Sequence, residues 1–291
     1  AEEGDVVALS VKQGDTYSLT LNDYTGKELR TIETGASGSY NPDLSPDGSL
    51  LAYRKPEGTG QALYLLKLDD IAPQRILSGD TIVPLFFSPS GEWLLAIEIV
   101  ASDGEQVLYS VDTRSGQVLR LMSAQDFEAV TFSPNDRWLL TMAELEGLAH
   151  LYLLNPDGAE RSRLVGPDDD PAWHADGYFS PDGSTILARK GYAETGEIVM
   201  YLMSTQGVLQ KVLVPGAEWP ASGSFSASGA QVVFDSEVSG RRVIQVADGE
   251  GGNPETLIDG YAPILLDGRP GRMAPFPDWP TPTPTPTLSS G

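Results

Sequence analysis

The 291-residue chain contains no cysteine, which excludes a disulfide framework, a thiolate metal site and a cysteine nucleophile together. Histidine is nearly absent, with His150 and His174 the two that occur. A Ser-His-Asp arrangement would need them to meet a serine and an acid by accident of folding, and no Gly-x-Ser-x-Gly elbow is present to supply that serine. Basic residues are scarce, 19 Lys plus Arg against 41 Asp plus Glu, a formal net charge of −22. Such a chain repels nucleic acid and anionic headgroups and favours cationic or neutral partners, solubility being the plainer use of the same acidity. No run of about 18 apolar residues exists, so the sequence offers no transmembrane helix. An initiator methionine is missing too, and a chain opening on Ala1 fits a removed leader and a trimmed terminus equally.

What the chain has in abundance is turns. Gly 31 and Pro 22 fit a fold with many hairpins, and the chain keeps rewriting one turn motif. The copies are Leu44-Ser45-Pro46-Asp47-Gly48, Phe87-Ser88-Pro89-Ser90-Gly91, Phe132-Ser133-Pro134-Asn135-Asp136, Phe179-Ser180-Pro181-Asp182-Gly183 and Phe225-Ser226-Ala227-Ser228-Gly229. In the full form of the motif an apolar residue ends a strand, Ser-Pro fixes the corner, and Asp, Ser or Asn followed by Gly supplies the local hydrogen bond and the positive-φ position of a tight turn. From serine to serine the intervals are 43, 45, 47 and 46 residues, the period of a four-stranded propeller blade.

Each turn is followed by an apolar strand, such as Leu50-Leu51-Ala52-Tyr53 or Trp93-Leu94-Leu95-Ala96. Next comes a strand with an internal tyrosine (Leu63-Tyr64-Leu65-Leu66, Leu108-Tyr109-Ser110-Val111, Leu151-Tyr152-Leu153-Leu154, Met200-Tyr201-Leu202-Met203). A more polar strand closes the unit, as in Gln117-Val118-Leu119-Arg120-Leu121. Apolar central strands and a charged last strand are the gradient expected when four-stranded units, A to D from the axis outward, pack face to face. Residues 5–35 supply B-, C- and D-like strands without an A strand, and residues 261–268 read as an orphan A strand ending in Asp267-Gly268. Joining the two closes a ring, so the expected fold is all-β, a six-bladed β-propeller of four-stranded blades closed by strand 261–268 on the N-terminal strands. The propeller domain spans 1–271. Residues 272–291, with strict Thr-Pro alternation, form an extended polyproline-type tail, either a spacer of the kind found outside the cytoplasm or a segment docked through Phe276 and Trp279.

The repeated Phe-Ser-Pro-Asp-Gly turn, followed by Ile/Leu-Ala and then Leu-Tyr-Leu-Leu with a second Gly turn, resembles the TolB-type β-propeller repeat over residues 1 to about 270. This chain departs from the pattern at Ala227, where the proline is lost, and at Asn135-Asp136, where the glycine is lost. The resemblance implies a propeller whose relatives include periplasmic scaffolds, surface proteins and the gating propellers of prolyl-oligopeptidase-type enzymes, so it carries fold more than activity.

In a propeller the D-to-A and B-to-C connections share one end, which gathers residues distant in sequence around a channel mouth. Just before strand A stand Tyr40, Ile82, Phe127, Trp173, Trp219 and Tyr261, with Asp126 and Glu218 beside them. Aromatics ringed by carboxylates suit a cationic peptide, a protein segment or a sugar with bound cation; packing of the same rings as core is the alternative. Asp168, Asp169, Asp170 and Asp176 offer oxygen ligands to Ca²⁺ or form a solvated acidic loop, and no other cofactor is expected. The expected function is a non-catalytic, extracytoplasmic binding or scaffold propeller. It meets a protein partner or neighbouring subunit (or a glycan) in a surface or envelope assembly and is joined to it through the tail. The rival is a hydrolase or lactonase-like enzyme using a cation at the acidic mouth.

Overall fold

The computed structural model describes residues 6–164, 172–192, 194–217 and 223–259, and among them every regular element is a strand. The strands form six antiparallel sheets in chain order, which we number 1 to 6. Sheets 2 to 6 have four strands each, hydrogen-bonded in the order A, B, C, D; sheet 1 has three, B (Val6–Gln13), C (Thr16–Asp23) and D (Glu28–Ala36). Among the described residues Val6–Gln13 has no strand on its outer side; residues 261–268, expected from the sequence as an A strand, lie outside the described residues, as does the Thr-Pro tail with Phe276 and Trp279.

The serine of each repeated turn explains the motif. Ser45, Ser88, Ser133, Ser180 and Ser226 are all buried. Each hydroxyl accepts the backbone N–H five residues on, from Leu50, Trp93, Trp138, Thr185 and Gln231 respectively. In the Asp-bearing turns it also donates to the carboxylate two residues on, at 2.6 Å in both Ser45–Asp47 and Ser180–Asp182. A buried hydroxyl is tolerated because it is satisfied on both sides. These bonds, from Ser45 first and then Ser49, pull the Asp47 carboxyl down to about 2. At the glycine position, Gly48 and Gly183 have φ of 70° and 72°, where an ordinary side chain would be strained.

Asp136 fills that position in sheet 4 at φ 59°, and its carboxylate gives the reason. It reaches the preceding turn, accepting from the Ser88 hydroxyl at 2.8 Å, from the Ser90 N–H at 3.0 Å and from the Ser90 hydroxyl. Loss of the glycine is therefore exchanged for a link between sheets 3 and 4. Elsewhere the turns meet by contact: the Gly91 turn lies against Pro46, the Gly183 turn against Asn135, and the Gly229 turn against Pro181.

Alternation of side chains along the B strands divides the core. Leu19, Leu21, Tyr40, Leu51, Tyr53 and Leu66 join sheets 1 and 2, and Leu65, Ile82, Leu94 and Val111 join sheets 2 and 3. Leu95, Leu108, Phe127, Phe132 and Tyr152 join sheets 3 and 4. The series continues through Leu140, Leu151, Ile186 and Tyr201 to Leu187, Met200, Phe225 and Phe234. Burying each such leucine contributes about 1.5–3 kcal/mol. The face of sheet 1 turned away from sheet 2 carries Val7, Leu9 and Val11, which remain 41%, 37% and 37% exposed.

Candidate functional site

Two kinds of connection do meet at one end of the sheets. Asp80, between sheets 2 and 3, accepts the Ala101 N–H from the B–C loop of sheet 3 at 2.8 Å. Gln125, between sheets 3 and 4, accepts the Gly147 N–H from the B–C loop of sheet 4 at 2.9 Å. Each of these D–A junctions therefore clamps the B–C loop of the sheet it leads into. Asp126 belongs to the same rim, its Oδ1 accepting from Gln106 Nε2 at 2.6 Å and from the Phe127 N–H at 2.9 Å. Glu105, Glu146 and Glu194 lie exposed in the neighbouring loops, and Glu237 lies exposed near the end of the B strand of sheet 6.

The aromatic ring inferred for the mouth requires correction where it can be seen. Tyr40 is 0% exposed and Phe127 8%, and both belong to the cores between sheets. A large ring at the start of an inner strand faces the next sheet, where it is removed from water, so neither lines an open mouth. Trp173 and Asp176 lie in the A strand of sheet 5, Ala172–Phe179, with Asp176 opposite Arg189 in register. Glu218, Trp219, Tyr261, Asp168, Asp169 and Asp170 fall outside the described residues. Among the described residues, no group of three His, Cys, Asp or Glu side chains is placed to hold a metal ion.

In place of an open ring, sheets 1 and 2 build a tyrosine and acid network at this end that residue-by-residue reading missed. Tyr53, fully buried, donates to Glu33 at 3.0 Å, and Lys55 pairs with the same carboxylate at 3.0 Å. Tyr40 meets Tyr53 edge-on at 6.1 Å, and Tyr64 stacks on its other side at 5.6 Å. Tyr64 donates to Glu57, which also pairs with Arg75 at 2.8 Å. Burial first, and Glu33 second, push the Tyr53 hydroxyl far above the ordinary tyrosine range. The bonds from Tyr64 and then Arg75 hold Glu57 below the usual carboxylate range. Sheet 3 repeats the pattern, Tyr109 donating to Glu98 at 3.0 Å. The signal available in sequence was the C-strand tyrosine followed by a D-strand arginine: Tyr64 stands opposite Arg75 and Tyr109 opposite Arg120.

Arg54 completes this end. Its Nε donates to the Ser39 carbonyl at 3.2 Å, and Nη1 donates to Gln61 Oε1 and to the Ile82 carbonyl, both at 3.4 Å. The guanidinium thus spans the junction of sheets 1 and 2, the C strand of sheet 2 and the A strand of sheet 3. Its backbone N–H bonds the Tyr40 carbonyl at 2.8 Å, and Asn41 Nδ2 donates to the Pro84 carbonyl at 3.2 Å.

Comparison with known proteins agrees with this architecture. The family model for the TolB β-propeller domain matches residues 6–262. TolB from Acinetobacter baumannii is 21% identical over 84% of this chain, at a TM-score of 0.45, and the chain spans 61% of that protein's length. An oligogalacturonate lyase in complex with manganese is 15% identical, with 87% of this chain and 73% of the lyase covered, at a TM-score of 0.51. Dipeptidyl peptidase 4 from Porphyromonas gingivalis is 15% identical, with 94% of this chain and 48% of the peptidase covered, at a TM-score of 0.58. At such identities the likeness is one of fold.

Proposed function

The chain belongs to the TolB β-propeller domain family, and from that footing we propose that it is a non-catalytic binding propeller whose acidic loop end receives a segment of a partner protein. The observation that carries the reading is the clamping of that end. Junction side chains hold the B–C loops of sheets 3 and 4 by their backbone, so Glu105 and Glu146 are displayed on fixed loops, which lowers the entropic cost of docking. With a net charge of −22, such a rim steers a basic segment toward it. The proposal includes a ring of six blades in which residues 261–268 add the fourth strand to sheet 1, against the free edge of Val6–Gln13 and beside exposed Val7, Leu9 and Val11. It also places the domain outside the cytoplasm, with the Thr-Pro segment linking it to an assembly.

Relatives in fold include a lyase and a peptidase, so the test must let an enzyme show itself. Cross-linking in the native envelope is compared between the parent and a variant with Glu105, Glu194 and Glu237 changed to Lys. Both proteins are then assayed on oligogalacturonate with and without manganese and on ester and peptide substrates. The proposal expects a defined cross-linked partner that the charge reversal removes, with no turnover by either protein. Turnover that the rim variant abolishes would replace the binding reading with an enzymatic one.

A further inference from the structure

We propose that the loop end between sheets 2 and 3 holds a recognition site for a single peptide carboxylate, with Arg54 as the cation that receives it. This deepens the binding reading above and rests on it. Arg54 is half-buried, and its three hydrogen bonds go to two carbonyls and one side-chain amide. Such acceptors orient a guanidinium without neutralising it, and Nη2 donates to none of the described residues. Lys55, Arg75 and Arg242 are matched to acids, Glu33, Glu57 and Asp235 respectively, whereas Arg30 donates from both terminal nitrogens to the Leu68 and Asp70 carbonyls; Arg54 differs from it in leaving Nη2 without an acceptor among the described residues. Leaving a half-buried charge without a counter-charge costs stability, and a bound carboxylate would recover that cost.

Comparison between repeats shows what is missing. Arg54 stands nine residues after Ser45, and Arg189 stands nine after Ser180. In sheet 5 the residue opposite Arg189 in the A strand is Asp176, four residues before Ser180. The residue four before Ser45 is Asn41, and continuing the register of Asp43 with Ala52 and Leu44 with Leu51 places it opposite Arg54. Where sheet 5 has an acid, sheet 2 therefore has the neutral amide of the same shape.

Asn41 is also held in an uncommon backbone state, at φ 46°. The other described non-glycine residues with positive φ, Asp136, Glu146, Ser239 and Asn253, sit in hairpin turns, whereas Asn41 lies in the junction between sheets 1 and 2. Strain of this kind persists where surrounding bonds fix it, here the Asn41–Pro84 and Arg54–Ser39 bonds that fasten loop 39–41 to its neighbours. The free Nη2 is thus offered from a fixed frame. One free nitrogen within an acidic rim selects one carboxylate on an otherwise basic segment, because the net charge of −22 repels a polyanion. That carboxylate is either the C-terminus of the segment or one Asp or Glu side chain.

The test uses the full chain and follows the side-chain amide signals of Asn41 and Gln61 by NMR. Probes are sodium acetate, with sodium chloride at matched ionic strength as control, and a short Lys/Gly peptide in three forms: free C-terminus, amidated C-terminus, and amidated with one internal Asp. Saturable shifts with acetate are expected, and at least about tenfold tighter binding of the carboxylate-bearing peptide than of the amidated one without Asp. Whichever carboxylate form binds tighter identifies the source. Arg54→Gln should lose saturation, Arg54→Lys should keep part of it, and Asn41→Asp, which leaves the cation in place and supplies the counter-charge internally, should lose binding without losing thermal stability. Equal binding of all three peptides, or parent-like acetate binding by Asn41→Asp, overturns the carboxylate site. Equal peptide binding that the rim charge reversal abolishes would overturn this site alone and leave the binding propeller standing.

Discussion

Replacing Asp136 by glycine restores the residue that the repeat favours at its turn, and a consensus argument expects the protein to gain. The structure gives the opposite sign. Relief of the φ 59° backbone returns about 1 kcal/mol. Against it stand three hydrogen bonds from the Ser88 hydroxyl and the Ser90 N–H and hydroxyl to one carboxylate. Bonds to a charged acceptor contribute about 1.5–3 kcal/mol each when buried, and the half-exposed setting discounts the set to about 2–3 kcal/mol in all. Ser88 is fully buried, so removing the carboxylate also strands its hydroxyl beside Ser90, 3.5 Å away. The net expectation is a loss of about 1–2 kcal/mol, which for a domain of this size lowers Tm by about 2–4 °C. Asp136→Asn, which tolerates the same backbone and keeps a neutral acceptor, should fall between the two. Differential scanning calorimetry of the three proteins decides it. A glycine variant melting at or above the parent would refute the inter-turn link as a source of stability.

Ending the chain at Gly260 removes the segment assigned to the free edge of sheet 1, and chemical denaturation should show a loss of several kcal/mol out of the roughly 5–15 typical of a domain; an unchanged midpoint refutes closure. For Asp47, whose carboxyl in the folded protein sits at about 2 against an ordinary 3.8, the stabilising contribution is complete above the ordinary value and vanishes as pH falls from there toward about 2. Carboxyl NMR should therefore show Asp47 titrating below the other exposed aspartates, and Ser45→Ala should return it toward the ordinary range.

Legibility of the fold in the sequence was uneven for physical reasons. The turns were readable because serine, proline and glycine each meet a local backbone demand, and local demands repeat with the unit. Ser45 and its four counterparts illustrate this, since every one accepts the same N–H five residues on. The absence of an A strand from the N-terminal unit followed from counting strands between turns, and sheet 1 has three. For Tyr40 and Phe127 the sequence left mouth and core both open, because position at the start of an inner strand does not say which way a side chain turns; both rings take the space between sheets. The pairing of Glu33, Glu57 and Glu98 with tyrosines was not legible, because the tyrosines that engage them come from strands whose facing only the register reveals.

The two ends of the sheets follow different rules, and the difference bears on where function resides. At the end built from A–B and C–D turns, the same residues recur and fasten one sheet to the next, so change there is answered by stability. At the opposite end the repeats diverge in charge at equivalent places: Arg54 opposite the position of Asn41, Met142 opposite Ala129, Arg189 opposite Asp176. The apolar pair in sheet 4 shows that the fold does not require ions at this level. In sheet 5 the sequence itself supplies an acid at the register position opposite the arginine. Arg54 retains the cation with an amide in the place of the acid, an arrangement that packing does not call for and that a carboxylate from outside would complete.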